Sequence, residues 1–537
     1  MYFIYTDIMS FIKSVMTVGG GTAVSRVIGF VRDILIARFL GASMMADAFF
    51  VALRFPNLFR SLFAEGTLNV AFVPLLSEQL HTKGQNHARC FARSVFSFLF
   101  YVLLIFTLVM EVLMPNLMFL LAPGFDAIDG KMALTTELSR ITFPFLLFVS
   151  LVSLFSGMLN SVGRFWAAAF TPTILNIVMI LSLFVLTPFI TNPYAPAYAL
   201  SYGVLIAGVI EFVFLSYHIK KAGLTIGLVN PIKALFHLSK GVKTLLRKMA
   251  PGVLGSGVYQ INLFFDTLFV SFVGAGAISW LNYAHHLFQL PIGIIGTAIG
   301  TALLPVLSKH IKLNEIKEAN IQLNRALEIS LAMSIASFIG LICLAEPIVR
   351  ILFERGAFTA SDSVRTAYAL MVFSVGLPAY MMTKTLSPFF YARGDTSTPV
   401  KIAVVGVVLN AVLALTFMQF WGYLGIALAT GITVWVNACQ YLIRLYKKGL
   451  VSADDLFRWR LPRILLSCTC MCAFLLLGRW GLNIVFPDWI KESSVLSAIL
   501  LFALIGSAMV VFGGAVILTK SIRLSELKAF LRTKRKG

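Results

Sequence analysis

Residues 495–519 read Val495-Leu-Ser-Ala-Ile-Leu-Leu-Phe-Ala-Leu-Ile-Gly-Ser-Ala-Met-Val-Val-Phe-Gly-Gly-Ala-Val-Ile-Leu-Thr519, 25 residues without one charged side chain. A helix crossing the hydrocarbon core of a bilayer needs about 20 mostly apolar residues, so this stretch is long enough to span. Comparable runs between helix breakers lie near 10–40, 46–80, 92–113, 133–158, 166–188, 198–217, 250–273, 277–307, 324–344, 366–391, 399–419, 423–443 and 463–482. The spacing predicts an all-α polytopic membrane protein of about 14 transmembrane helices with short loops. Composition agrees. Of 537 residues, 59% are hydrophobic and 12% charged, with a mean hydropathy of +0.89. A soluble domain runs nearer 45–50% apolar and about 25% charged. A soluble enzyme on a single anchor, a disordered chain and a disulfide scaffold are all excluded. The six cysteines sit in or beside apolar runs, and Cys468, Cys470 and Cys472 point around a helix rather than at one metal. The start carries no basic, apolar, small-residue pattern of a cleaved signal peptide.

The net charge is +21, which in a soluble protein suggests nucleic acid. Here the cations follow the loops. One alternating set of connections, from Lys83 to the basic tail, holds 30 Lys and Arg; the opposite set holds six, Lys131, Arg350, Arg355, Arg365, Arg479 and Lys491. Cytoplasmic loops of membrane proteins carry the cationic excess, so both termini are expected in the cytoplasm and no nucleic-acid partner is implied. Segment 231–248 sets Ile232, Leu235, Phe236, Val242 and Leu246 beside Lys233, Lys240, Lys243 and Lys248, the pattern of a basic amphipathic helix on the membrane surface.

The chain also repeats. Phe39-Leu-Gly-Ala42 matches Phe272-Val-Gly-Ala275, and Val73-Pro-Leu-Leu-Ser77 matches Leu304-Pro-Val-Leu-Ser308. Thr171-Pro172 echoes Thr398-Pro399, and Leu175-Asn176 echoes Leu409-Asn410. Four matches in order at nearly constant offset indicate two parallel six-helix lobes, a transporter architecture with its substrate site between the halves. The organisation expected is an N-terminal lobe over 1–222, a basic amphipathic linker over 223–249, a C-terminal lobe over 250–449, and two C-terminal helices with a basic tail over 450–537.

Eight cations remain in or near the spans: Lys13, Arg26, Arg32, Arg38, Arg54, Arg60, Arg140 and Lys384. A charge at the bilayer centre costs at least about 2.5–3.5 kcal/mol on insertion scales and usually faces a partner or water. The first two spans carry five arginines against Asp33, Asp47 and Glu65, a cationic excess that needs an anion. Spacing puts Arg26 and Asp33 on nearly one helix face, and Gly29 permits a bend between Arg26 and Arg32. Asp47 and Arg54 share a face ahead of Pro56, a helix breaker, with Arg60 and Glu65 beyond it. Snorkelling or a static ion pair accounts equally well for Arg38 and Arg54. Arginine keeps its proton and presents a planar fork suited to phosphate, so a wet cationic cavity implies a phosphate-bearing anionic substrate.

In the second half, span 8 contains Asn282-Tyr-Ala-His-His286 and then Gly293, Gly296 and Gly300 on one face. Lys384 stands alone as a cation in span 10. Asp266 in span 7 is protonated, paired across helices, or a cation ligand. Gly19-Gly20-Gly21 lacks the Lys-Ser/Thr of a phosphate loop, and no catalytic pair or zinc spacing appears outside the bilayer. The chain is not expected to be an enzyme, and no cofactor is implied.

Ser25-Arg-Val-Ile-Gly-Phe-Val-Arg-Asp33, Ala46-Asp-Ala-Phe-Phe50, Pro56-Asn-Leu-Phe-Arg60, Phe63-Ala-Glu-Gly66 and Ala71-Phe-Val-Pro74 closely resemble the MurJ (MviN) family, as do Ala122-Pro-Gly-Phe125 and Thr398-Pro-Val-Lys401. The resemblance covers essentially the whole chain. It implies a flippase of the multidrug/oligosaccharidyl-lipid/polysaccharide exporter group that moves lipid II, the polyprenyl-pyrophosphate-linked sugar–peptide precursor of peptidoglycan, across the bacterial inner membrane by alternating access. It implies that Arg26, Arg32 and Arg60 with Asp33, Asp47 and Glu65 line the cavity, and that Ser279 and Lys384 act in the second lobe. His286 stands where many members have a substrate-contacting arginine. Asp266, with Asn410 and Thr430 as companions, matches the region of a family cation site, but the second carboxylate of that site is missing in span 11. Spans 13 and 14 would cradle the polyprenyl tail among membrane lipids. Another polyprenyl-pyrophosphate oligosaccharide is the alternative substrate, and a non-transporting scaffold among cell-wall synthesis proteins the alternative role.

Cysteines placed at Gly84 and Gly241 are expected to react with an impermeant thiol reagent only after the inner leaflet is opened. Cysteines at Ala127 and Asp362 are expected to react from outside intact cells. The reverse pattern overturns the topology.

Overall fold

The computed structural model describes the backbone of residues 2–63, 67–224, 226–452, 454–487, 489–490 and 495–521, with side chains except at 2–19, 62, 63, 67, 251, 253–256 and 259. Glu65, the Lys13 side chain and the basic tail from 522 onward lie outside the described residues. Helices, and no strand, make up the regular structure among those described. In order they are α1 (Tyr2–Leu40), α2 (Met44–Phe63), α3 (Thr67–Lys83), α4 (Gln85–Leu121), α5 (Lys131–Thr142), α6 (Phe145–Ser161), α7 (Phe165–Val185), α8 (Ala195–Lys221), α9 (Pro231–Phe236) and α10 (Lys240–Ser271). There follow α11 (Ala277–Pro291), α12 (Thr297–Lys312), α13 (Ile316–Phe353), α14 (Ala360–Val375), α15 (Leu377–Ala392), α16 (Ser397–Trp421), α17 (Tyr423–Lys447), α18 (Asp455–Val485) and α19 (Val495–Leu518).

Ten helices or continuous helix pairs among the described residues are long and apolar enough to cross a membrane, and α14 with α15, bent by 41°, makes an eleventh if it is one span. The spans outside that set, α1, α2 with α3, and α10, carry ionisable residues or side chains outside the description. One breaker acts differently from expectation. Pro56 lies inside a continuous α2, because a helix tolerates proline where neighbours re-satisfy the freed carbonyl. Pro291 instead leads into a π-helical turn, Ile292–Gly296. The basic segment 231–248 is also two pieces: α9 is six residues long, and Lys240 already begins the 32-residue α10.

The chain forms two compact units, Met1–Ser279 and Trp280–Gly537. In the first, α7 packs between α1 and α8, α2 lies on α5, α6 and α8, and α10 lies on α2, α3 and α4. In the second, α13 is the hub, touching α12, α14, α15, α18 and α19. Leucine and phenylalanine fill the interiors, such as Leu323, Leu327, Phe389 and Phe390. Large apolar side chains also cover the outside, among them Val112, Leu477, Val510 and Leu518. An apolar exterior is stable only against lipid.

The repeat is visible in the turns. Among the described residues, every left-handed residue between helices in the first half has a counterpart 226 to 233 positions later: Gly41 and Gly274, Gly84 and Asn314, Gly130 and Gly356, Gly163 and Gly394, Gly223 and Gly449. Residues with positive φ are sterically restricted, so shared positions mean a shared succession of helix ends. Each of the Phe-x-Gly-Ala matches is one of these turns, and the Val73–Ser77 and Leu304–Ser308 matches lie in α3 and α12.

Arg460, a loop cation on sequence grounds, lies inside α18 and is 1% exposed. Its Nη1 donates to Glu328 Oε2 on α13 at 2.9 Å, while Arg325 bonds both Glu328 and Asp454. Asp454 caps α18 through the Phe457 N–H, so this network ties α18 to α13 within the second unit. Two labelling positions also change value: Asp362 is buried as the cap partner of Thr359, and a side chain at Gly241 would collide with Phe91. Gly84 and Ala127 are the open reporters.

Removing one partner of a buried pair costs about 3–5 kcal/mol. Arg460→Ala is expected at the lower end, about 3 kcal/mol, because Arg325 still faces Glu328. The reversible unfolding of detergent-solubilised protein measures it, and replacing Glu328 and Arg460 together with leucine and methionine should recover most of the loss.

Candidate functional site: ionisable residues in the spans

Most of the span arginines of the first unit lie on α1 and α2. On α1, Arg32 is half-buried, and its Nη2 and Nε donate to Asp33 Oδ1 at 2.7 and 3.0 Å. Its Nη1 donates to Asn176 Oδ1 on α7 at 2.7 Å, and Asn176 Nδ2 donates back to the Ser25 carbonyl at 3.1 Å. Asn176 fits because Gly29 has no side chain: a Cβ there would lie 3.2 Å from Asn176 Nδ2. The glycine thus admits a neighbouring helix; α1 is continuous through it. Asp33 therefore bonds Arg32, its neighbour in sequence, rather than Arg26 on its own face. Arg26 is exposed, with no ion-pair or hydrogen-bond partner among the described residues.

Asp47 lies in the first turns of α2, whose start is capped by Ser43. It is fully buried. Oδ2 accepts from Lys131 Nζ at 2.8 Å and from the Gly276 N–H at 2.7 Å; Oδ1 accepts from the Ser279 N–H at 2.9 Å and its hydroxyl at 2.7 Å. Lys131, a loop cation on sequence grounds, is equally buried, with its ammonium 3.9 Å from the Phe125 ring centroid. Asp47 thus caps the first turn of α11 from another helix, and the structure brings Asp47 and Ser279 together.

Farther along α2, Arg54 donates to Thr267 on α10, and Gln260 of α10 donates to Ser61. Arg60 is half-buried and lies within electrostatic range of Glu211, a buried carboxylate of α8. Arg38 is exposed. Glu65 lies outside the described residues.

In the second unit, His285 faces Gln289 at 2.6 Å and packs against Phe288 and Phe373. His286, next to it, is half-buried. Lys384 is exposed, and α15 approaches closely because Gly296 and Gly300 face it: a Cβ at Gly300 would lie 3.4 Å from the Lys384 carbonyl. Asp266, in the first unit, accepts from Asn262 at 3.1 Å. Asn410 is buried and the Thr430 hydroxyl donates to its own helix at Ile426, both in the second unit. No cluster of three His, Cys, Asp or Glu occurs among the described residues.

The charges fall into two kinds. Asp47 and Lys131 are enclosed and mutually neutralised, which suits a structural joint. Arg26 and Lys384 are exposed cations on span helices, and a charge in such a helix must meet water or an anion. Asn176, Lys131 and Glu211 are the contributors not singled out from the sequence as site residues. Asn176 had a signal, since it belongs to the repeated Leu-Asn pair. Lys131 looked like a loop residue because it follows Gly130 at the helix start.

Residues 36–500 match the sequence profile of the family described as lipid II flippase MurJ. A probable lipid II flippase MurJ of Rhizobium tropici is 42% identical, with 85% of this chain and 84% of that one covered. The lipid II flippase MurJ of Burkholderia cenocepacia is 35% identical over 82% of this chain and 85% of that one. Among solved structures, a lipid II flippase MurJ in an inward closed conformation superposes with a TM-score of 0.72 at 27% identity, covering 91% and 98% of the two chains. An inward-facing multidrug transporter of the MATE family shares the fold, with a TM-score of 0.65 at 17% identity over 79% and 95%.

Gly29→Ala separates positioning from folding. Alanine is favoured over glycine within a helix by about 1 kcal/mol, which offsets the small shift that the new Cβ forces on Asn176, so thermal stability should change little while the Asn176–Arg32 bond is perturbed. Binding of inorganic pyrophosphate, measured by calorimetry, should weaken several-fold; unchanged binding would separate Asn176 from the cationic site.

Proposed function

The chain belongs to the lipid II flippase MurJ family, and from that membership we infer that it carries the lipid-linked peptidoglycan precursor across the bacterial inner membrane by alternating access. The observation that supports this most is the surplus of arginine on α1 and α2, with Arg26 exposed and Arg32 held by Asp33 and Asn176. A guanidinium oriented by a side-chain amide presents a fixed fork to a pyrophosphate. Arg26, Arg32 and Arg60 bind the pyrophosphate, and Lys384 with His286 supplies charge from the second lobe. The sugar–peptide headgroup crosses through water while the polyprenyl tail stays in lipid, guided by α18 and α19. The chemistry asked of the chain is binding and release, with no bond made or broken.

In this reading there are fourteen passages, α2 with α3, α5 with α6, α11 with α12 and α14 with α15 each counting as one. The basic connections and both termini lie in the cytoplasm. Asp266, Asn410 and Thr430 remain the residues to test for a coupling cation, and cell-wall synthesis proteins the partners to test.

Arg26→Ala, Arg32→Ala and Arg60→Ala should each abolish complementation of cells depleted of their own flippase, at normal protein levels. Lysine at these positions should rescue in part, because the charge returns without the bidentate fork. Growth with all three alanine variants would remove the cationic site from the mechanism. For the second lobe, His286→Arg is expected to bind a pyrophosphate lipid at least as tightly as the wild type and His286→Ala several-fold more weakly, because only the former keeps a donor toward the anion. Equal affinities in all three would leave His286 a packing residue.

A further inference from the structure

The three groups at the start of α11 that bond Asp47 are neutral: the backbone N–H groups of Gly276 and Ser279 and the Ser279 hydroxyl. Neutral donors satisfy the lone pairs of a carboxylate but leave its charge in place. The charge is met by Lys131, whose Nζ lies 2.8 Å away with both side chains fully enclosed. Lys131 is the first residue of α5, where a cation works against the helix dipole. Local helix energetics therefore do not explain a lysine there, whereas Asp47 does. Lys131 and Asp47 are on α5 and α2, which pack together, so this bond does not require α11 to be present.

We propose that Lys131 is a resident counter-cation, a positioning residue that lets the α2–α11 contact close over Asp47 as an anion, so that closure takes up no proton. This rests on the alternating-access reading, in which the first turn of α11 engages and releases Asp47. In the released arrangement water reaches Asp47; in the engaged one nothing but the chain surrounds it, and an uncompensated charge there is strongly disfavoured. Without Lys131, engagement would need Asp47 to be protonated. Protonation would then favour closure, so closure would be gained as pH falls and lost as it rises. Other ionisable groups on the helices around α2 do not take over this role. Glu137 of α5 is bonded by Tyr198, Arg140 lies by Glu111, Glu211 of α8 by Arg60, and Asp266 of α10 is bonded by Asn262. Among the described residues, Lys131 is the ionisable group bonded to Asp47.

The test is amide hydrogen exchange of the full chain in nanodiscs, read at Gly276 and Ser279 and divided by intrinsic rates, from pH 5.5 to 8. Wild type should show level protection across this range. In Lys131→Met, both amides should exchange at least tenfold faster at pH 8 and return toward wild type at pH 5.5, while α16 and α17 stay unchanged. Asp47→Asn combined with Lys131→Met removes both charges and should restore pH-independent protection, which also serves should the single variant unfold. Wild-type protection in Lys131→Met at every pH overturns the proposal, as does a double variant as poorly protected as the single one. Headgroup translocation by wild type in proteoliposomes is read separately: its absence defeats the transporter reading and leaves the exchange result standing.

Discussion

A carboxylate taken out of water inside a membrane protein must find all its hydrogen-bond donors within the chain, and Asp47 does so by drawing three helix ends together. It lies near the start of α2, receives the ammonium from the start of α5, and receives two amides and a hydroxyl at the start of α11. Other contacts lie alongside this joint. Thr142 of α5 donates to the Ala52 carbonyl of α2, and the Gly124 N–H donates to Ser271 at the end of α10. The rest of the first unit packs around helices whose ends meet here. Replacing such a pair by apolar groups is often tolerated in proteins, so its presence is better understood as a device that specifies which ends meet.

The same residue types serve opposite ends, and burial sorts them. Lys131 and Arg460 are enclosed and each faces a carboxylate across a helix interface. Arg26 and Lys384 are exposed on span helices. Arg32 is intermediate, its fork oriented by Asp33 and Asn176 while the side chain stays half-buried. A cation that is held but not enclosed is suited to an anion that must bind and later leave, because full enclosure would demand a permanent partner.

The two halves reuse one succession of helices and turns but not its chemistry. Trp280 stands 233 residues after Asp47, the offset of the Gly41 and Gly274 turns. Where Asp47 accepts from Lys131 at the start of α5, Trp280 donates its indole N–H to Asp362 at the start of α14, with Arg365 over its ring. Each half therefore bonds the corresponding helix starts, one by an ion pair and one by a neutral donor to a capping carboxylate. Residues 279 and 280 are neighbours in sequence, yet they are bonded to Asp47 and Asp362 respectively.

Much of this was legible along the chain because hydropathy, charge and turn chemistry are properties of short stretches. The apolar runs, the imbalance of cations between loops, the repeated Phe-x-Gly-Ala and Pro segments and the arginines of α1 and α2 all declare themselves within a few tens of residues. The continuity of α2 through Pro56 and the π turn after Pro291 do not, since neighbours determine whether a freed carbonyl is satisfied. Nor do the partners of the charges. Lys131 and Asp47 are 84 residues apart, and Arg32 and Asn176 are 144 apart. An ionisable residue announces that it needs a partner or water, but only the packing of distant helices decides which one it receives.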